Sequence, residues 1–178
     1  MARADIRLAG SGGQGIILAS VILAEAAVEA DKKTAQSQSY GPEARGGACK
    51  AEVIISDEEI AFTKVIKPSF FMALTSDALR QYYKGFDETC TVLIDEDIEV
   101  PEDLKCQKLI KLPILKTAKE KVGKAMTANI VAVACINKLL NLVNNEDLHK
   151  AVMAHIPKGS EELNEKALSL GENLAEEI

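Results

Sequence analysis

The chain has 178 residues and a net charge of −6, with 47% hydrophobic and only 4% aromatic residues and no Trp. That length suits a single domain, residues 1–178, with a sizeable core built from Ala, Val, Ile and Leu. The acidic balance argues against a nucleic-acid partner, and no apolar stretch reaches the roughly 18 residues of a membrane span.

Met1-Ala2-Arg3-Ala4-Asp5 runs straight into the first apolar alternation, which is read as leaving no room for a signal peptide; a cytoplasmic protein is expected. Ile6 and Leu8 flank polar Arg7 as a short strand. Gly10, Ser11, Gly12, Gly13, Gln14 and Gly15 follow as a turn, and a helix is predicted from Gln14 to Glu29. Glycine is needed where φ is positive or where something approaches the backbone closely. The unpaired amides at the head of the helix suit an anion. A turn that merely reverses the chain rarely needs four glycines. The helix is apolar nearly all round, so it should be buried on more than one side. Its own sheet explains one side, and the other hints at a partner subunit, although a short Ala-rich helix in a crowded domain would look the same.

Gly10, Gly12 and Gly15 satisfy the dinucleotide pattern G-x-G-x-x-G. That site also wants an acid at the end of the second strand, near Ala35-Gln36-Ser37, where none stands. The phosphate-loop pattern fails because Ile16 and Ile17 occupy the Lys and Ser/Thr positions.

Lys33 to Gln36 is a weak second strand. Ser37 to Gly47 reads as a loop, because Pro42, Gly41, Gly46 and Gly47 forbid regular structure. Its mix of Ser39, Tyr40, Glu43 and Arg45 is more than a plain connector needs, and points to a functional or subunit-contact loop. Ala48 to Ser56 is the clearest strand, with Cys49, Ala51, Val53 and Ile55 on the buried face and Lys50, Glu52 and Ile54 on a partly wet one. A short strand at Ile60 to Val65, strands at Ser69 to Leu74, Thr91 to Ile94 and Lys108 to Lys111, and a helix from Ser76 to Tyr83 follow. The remainder reads as helical. Met126 to Val143 carries Asn129, Asn137 and Asn141 near helical spacing, Asn144 or Asn145 caps a second helix, and Ser160 caps the last. Strands alternating with helices predict a three-layer, Rossmann-like α/β domain with a mixed, largely parallel sheet.

Cys49, Cys90, Cys106 and Cys135 include no C-x-x-C pair, so no iron–sulfur or zinc site is read from them. His149 and His155 lie six apart on one helix without sharing a face. No catalytic residue and no metal ligand is assigned.

Together, Leu8 to Gly15, Gln36 to Gly47, Val53 to Asp57, the helix with Asn129, and Asn164-Glu165-Lys166-Ala167 with Gly171 resemble the gamma subunit of 2-oxoacid:ferredoxin oxidoreductases, over essentially the whole chain. The Gln-Ser-Gln-Ser-Tyr version of the second stretch looks most like the 2-oxoglutarate enzymes, with pyruvate and branched-chain relatives close behind. The resemblance implies oxidative decarboxylation of a 2-oxoacid on thiamine diphosphate and Mg, electrons passed through iron–sulfur clusters to ferredoxin, and the acyl group delivered to coenzyme A. The thiamine and clusters are implied for alpha, beta and delta-type partners, with no cofactor held by this chain alone. The gamma chain is implied to close the active site. Gly10, Ser11, Gly12, Gly13, Gln14, Gly15, Ser39, Tyr40, Gly41, Pro42, Glu43, Arg45, Gly46 and Gly47 are the candidates to face the subunit junction or coenzyme A. A stand-alone Rossmann-like nucleotide module and a purely structural scaffold are the other readings the residues allow.

Overall fold

A computed structural model of the chain describes residues 3–40, 47–86 and 88–178. Six strands, β1 (Arg3–Ser11), β2 (Lys33–Tyr40), β3 (Ala48–Ser56), β4 (Phe70–Ala73), β5 (Thr91–Asp95) and β6 (Lys108–Leu112), form one sheet in the order β2-β3-β1-β4-β5-β6. β1, β4, β5 and β6 run parallel, while β3 is antiparallel to both of its neighbours, β1 and β2. The sheet is therefore mixed and largely parallel, as the alternation of strands and helices implies.

One face of the sheet carries most of the helical mass. α1 (Ile16–Glu29), the single turn α3 (Ile114–Lys116), α4 (Ala128–Leu140), α5 (Asn145–His155) and α6 (Glu161–Glu176) share an apolar cluster with Ile6, Leu8, Val53 and Ile55. α4 is so apolar that every residue from Ala128 to Asn137 is buried. It meets α6 at Gly171, where an added Cβ would sit 2.4 Å from the Val131 carbonyl oxygen and 2.8 Å from Ala134 Cβ. Glycine is what lets the two helices approach, and Cys135 Sγ donates to the Gly171 carbonyl at 3.1 Å. The second side of α1 is covered from within the chain, by α5 and α4. The partner hinted at by its composition is not needed to explain Ile17 or Leu23, and Val28, 56% exposed, is the apolar residue that it leaves open.

The other face is thinner. α2 (Ser76–Tyr82), capped by Thr75 Oγ1 accepting from Ala78 N–H, lies there with irregular chain. Phe71, Ala73, Val92 and Ile94 pack beneath it against Leu79 and Ile98. Arg7 and Glu52, both nearly buried, pair at 2.7 Å in the middle of this face.

Several boundaries differ from the sequence-based expectation. β1 begins at Arg3, and α1 at Ile16 rather than Gln14, because Gly15 adopts a left-handed conformation that no helix continues through. No strand forms at Ile60 to Val65. Ala61, Phe62, Thr63 and Lys64 are exposed there, and the segment is fixed instead through the Val65 carbonyl, which accepts from Arg7 Nη2 at 3.2 Å. The region Met126 to Val143 divides into a 3₁₀ turn (Ala125–Thr127) and α4, ending at left-handed Asn141. Asn137 secures the exit by donating to the Val143 carbonyl and accepting from its N–H. Asn144 caps α5 by accepting from Asp147 N–H at 2.8 Å. Ser160 stands at the head of α6 but does not cap it: its hydroxyl donates to the Pro157 carbonyl at 2.6 Å.

Candidate functional site

The carboxyl end of β1 opens directly into the glycine turn, where α/β sheets place their ligands. Gly10 has no room for a side chain: a Cβ would lie 2.7 Å from both Gln14 Oε1 and Ile16 Cδ1. Gln14 folds back so that its Oε1 accepts from Ser11 N–H at 2.8 Å, and its own N–H donates to the Ser11 carbonyl at 3.2 Å. Gly12 and Gly13 are exposed at the tip, Gly13 with φ +92. Gly15 has φ +71, and a Cβ there would meet Asn129 Nδ2 at 2.5 Å. The turn is thus held in shape by Gln14 from within and by α4 from outside. No side chain caps the head of α1, which leaves its first amides and its dipole turned outward.

The two stretches singled out in the sequence meet here. Gly12 N–H donates to the Gly47 carbonyl at 3.1 Å, and Tyr40, Cys49 and Gly10 form one row across β2, β3 and β1. Ser39 lies one residue back on β2, exposed and opposite Lys50. So Ser37, Gln38, Ser39 and Tyr40, expected in a loop, are strand. Gly41, Pro42, Glu43, Arg45 and Gly46 lie outside the described residues. Burial pushes the Cys49 thiol up from its ordinary value, which makes it a packing group rather than a nucleophile. Gln36, at the position where a dinucleotide site needs an acid, donates to Ser20 Oγ at 2.9 Å and so ties β2 to α1.

A cleft of about 300 Å³ adjoins the turn, reached from Gly13 and Gly15 and continuing past Met126, Asn129, His155 and Asn164. Its lining is mostly apolar: Leu18, Ile130, Ile156 and Leu163 contribute, and Met126 is 74% exposed at the rim. The heads of α1, α4 and α6 border it, with Lys124 at one side. His155 at the rim pairs with Glu25 of α1. Of these residues the sequence signals Gly13 and Gly15 in the turn, Asn129 at helical spacing and Asn164 through the family resemblance; Lys124, Met126 and His155 carry no pattern that links them to the turn. The four cysteines are free, three of them buried, and no cluster of metal-ligating side chains occurs among the described residues.

The molecule is a Rossmann-like α/β chain whose glycine turn, second polar stretch and helix heads converge at one end of the sheet. The family model for pyruvate ferredoxin/flavodoxin oxidoreductase matches residues 5–174. The 2-oxoglutarate synthase subunit KorC of Methanocaldococcus jannaschii is 46% identical, with 99% of this chain and 96% of the relative covered. Its counterpart in Methanothermobacter marburgensis is 38% identical over 97% of this chain and 96% of the relative. Among solved structures, a keto/oxoacid ferredoxin oxidoreductase gamma subunit from Geobacter sulfurreducens superposes with a TM-score of 0.88 at 40% identity, covering 99% of this chain and 98% of that one. The chain belongs to the pyruvate ferredoxin/flavodoxin oxidoreductase family, as a gamma-type subunit of a 2-oxoacid:ferredoxin oxidoreductase. It is therefore part of a multisubunit oxidoreductase. No helix among the described residues is long and apolar enough to cross a membrane.

Proposed function

We propose that this chain is the gamma subunit of a cytoplasmic 2-oxoglutarate:ferredoxin oxidoreductase, with residues 1–178 acting as one domain. The complex would convert 2-oxoglutarate, coenzyme A and two oxidised ferredoxins to succinyl-CoA, CO₂, a proton and two reduced ferredoxins. The observation that carries the substrate assignment is the end-to-end likeness, at 46% identity, to a 2-oxoglutarate synthase subunit. Thiamine diphosphate, Mg and the iron–sulfur clusters belong, in this reading, to alpha, beta and delta-type partners. The gamma chain contributes assembly and closure, with the glycine turn and Ser39 to Gly47 facing the junction. Coenzyme A contact is supported by the outward amides at the head of α1 and by the presence of Arg45, a residue type whose planar guanidinium suits a phosphate.

Tagging the chain in its native cell, identifying the co-purifying subunits and assaying the complex with 2-oxoglutarate, pyruvate and 2-oxoisovalerate tests the assignment. Turnover that needs 2-oxoglutarate is the expected result; preference for either other acid overturns the substrate. Arg45→Lys keeps the charge but loses the fork. It should leave the complex assembled and raise the KM for coenzyme A roughly ten- to a hundredfold, the value of about 1.5–3 kcal/mol for one charge-assisted contact. An unchanged coenzyme A dependence in an intact complex favours a scaffold role.

A further inference from the structure

The two ends of the sheet are finished very differently. β6, at one edge, is five residues long, carries Lys108 and Lys111 and runs into Pro113. Shortness, lysine and a following proline are the usual ways of keeping an edge from pairing with another chain. β2, at the other edge, is eight residues long, and its pairing with β3 continues unbroken from Lys33 opposite Ser56 to Tyr40 opposite Cys49. No bulge interrupts it, no proline occurs in it, and its one charge is Lys33 at its start. It is also firmly seated, through the Gln36–Ser20 bond to α1. An edge that is long, straight, uncharged and anchored is a template for another strand.

We propose that this edge pairs antiparallel with the same strand of a second copy of the chain, giving a continuous twelve-stranded sheet. The uncharged run is Thr34 to Tyr40, and its midpoint is Ser37. A two-fold axis normal to the sheet keeps each residue on its own face, so opposed residues must share parity in the sequence. Centred on Ser37, the axis sets Ser37 against its own copy, Gln36 against Gln38 on the α1 side, and Ala35 against Ser39 on the other. Amide thus faces amide, small residue faces small residue, and the two Lys33 residues fall at opposite ends of the ribbon. The strand is self-complementary, which a site for a charged or strongly apolar partner strand would not be.

Light scattering on the purified full chain should give twice the 19.2 kDa monomer mass. Ser37→Lys opposes two like charges on the axis and should return the mass to that of the monomer. Circular dichroism on that variant shows whether its fold is kept. Ser37→Cys, which needs no such control, should form a disulfide-linked dimer under mild oxidation, whereas Ser39→Cys and the unmodified chain should not. A wild-type chain that is monomeric at high micromolar concentration overturns the proposal. So does a folded Ser37→Lys variant that remains dimeric, or a Ser37→Cys chain that fails to cross-link.

Discussion

The two faces of the sheet are covered by different materials, and they are held by different forces. On the α1 side, regular helices satisfy most of their own backbone groups, so apolar packing makes up most of the contact. Gly171 against Val131 is the limit of that strategy, two helices in contact through bare backbone. On the α2 side, much of the cover is irregular chain, whose carbonyls have no helical partner and must be given donors. Arg7 supplies donors at two points: Nη2 donates to the Val65 carbonyl in the irregular chain and Nη1, at 3.5 Å, to that of Tyr82, the last residue of α2, while Glu52, also bonded by Lys50 at 3.1 Å, neutralises the guanidinium. A buried charge on this face is thus the consequence of covering a sheet with loop.

The contrast can be broken most severely at Arg7. Arg7→Met leaves Glu52 buried with Lys50 alone and two carbonyls unserved, and should cost about 3 kcal/mol in urea unfolding. Adding Glu52→Leu removes the stranded carboxylate, and the double variant should recover to a loss of about 1–2 kcal/mol, the lost bonds to Val65 and Tyr82. Additive losses would mean that the pair is not a unit.

On the helical face, Gly171→Ala should cost about 2 kcal/mol by overpacking, read from the same unfolding curves, because the neighbour that must yield is the Val131 backbone. The loss should be insensitive to salt and pH, because no charge takes part in the contact.

The smallest effect concerns Asp95, 1% exposed at the carboxyl end of β5, whose Oδ2 accepts from Leu115 N–H at 2.8 Å. Burial raises its carboxyl above the ordinary value, with backbone donors from Leu115, Asp97 and Ile114 opposing that in part. The folded chain therefore holds this proton more tightly than the unfolded one. The stabilisation is complete below the unfolded value, about pH 3.9, and is lost as pH rises through the folded value. Asp95→Asn, which can still accept from Leu115, should gain on the wild type as pH rises from about 4 to 7, seen as a difference in the slope of unfolding free energy. Parallel slopes would count against a burial effect.

Much of this architecture is legible in the sequence, for identifiable reasons. Ile6, Leu8 and the glycines mark a strand, a turn and a helix because each element has its own period or backbone demand. The odd-numbered apolar residues of β3 and the stripe of α6 are equally plain. Arg7 and Glu52 look like ordinary wet-face residues, since alternation cannot show that loop will cover them; buried Ile54 on the same face is the one hint. Ser37 to Tyr40 lacks alternation because an edge strand built of polar residues has little apolar to alternate. Phe62 and Ile60 resemble a strand by composition, but Asp57, Glu58 and Glu59 before them lead into irregular chain that Arg7 holds at the Val65 carbonyl. The cleft beside the turn is invisible because its residues come from the glycine turn and five separate elements.

The placement of β3 has a consequence for anyone wishing to re-engineer the scaffold. In a dinucleotide-binding domain the strand after the first helix lies beside β1, so an acid at its tip reaches the ribose above the glycine turn. Here β3 is interposed, and β2 stands two strand spacings away, about 9.5 Å from β1. Grafting an aspartate at Gln36 would therefore not install a nicotinamide-nucleotide site, however well the glycine pattern matches. The residue beside Gly10 is Cys49, on a strand of opposite direction, so it is the wiring of the chain, more than the missing acid, that separates this turn from its nucleotide-binding look-alikes.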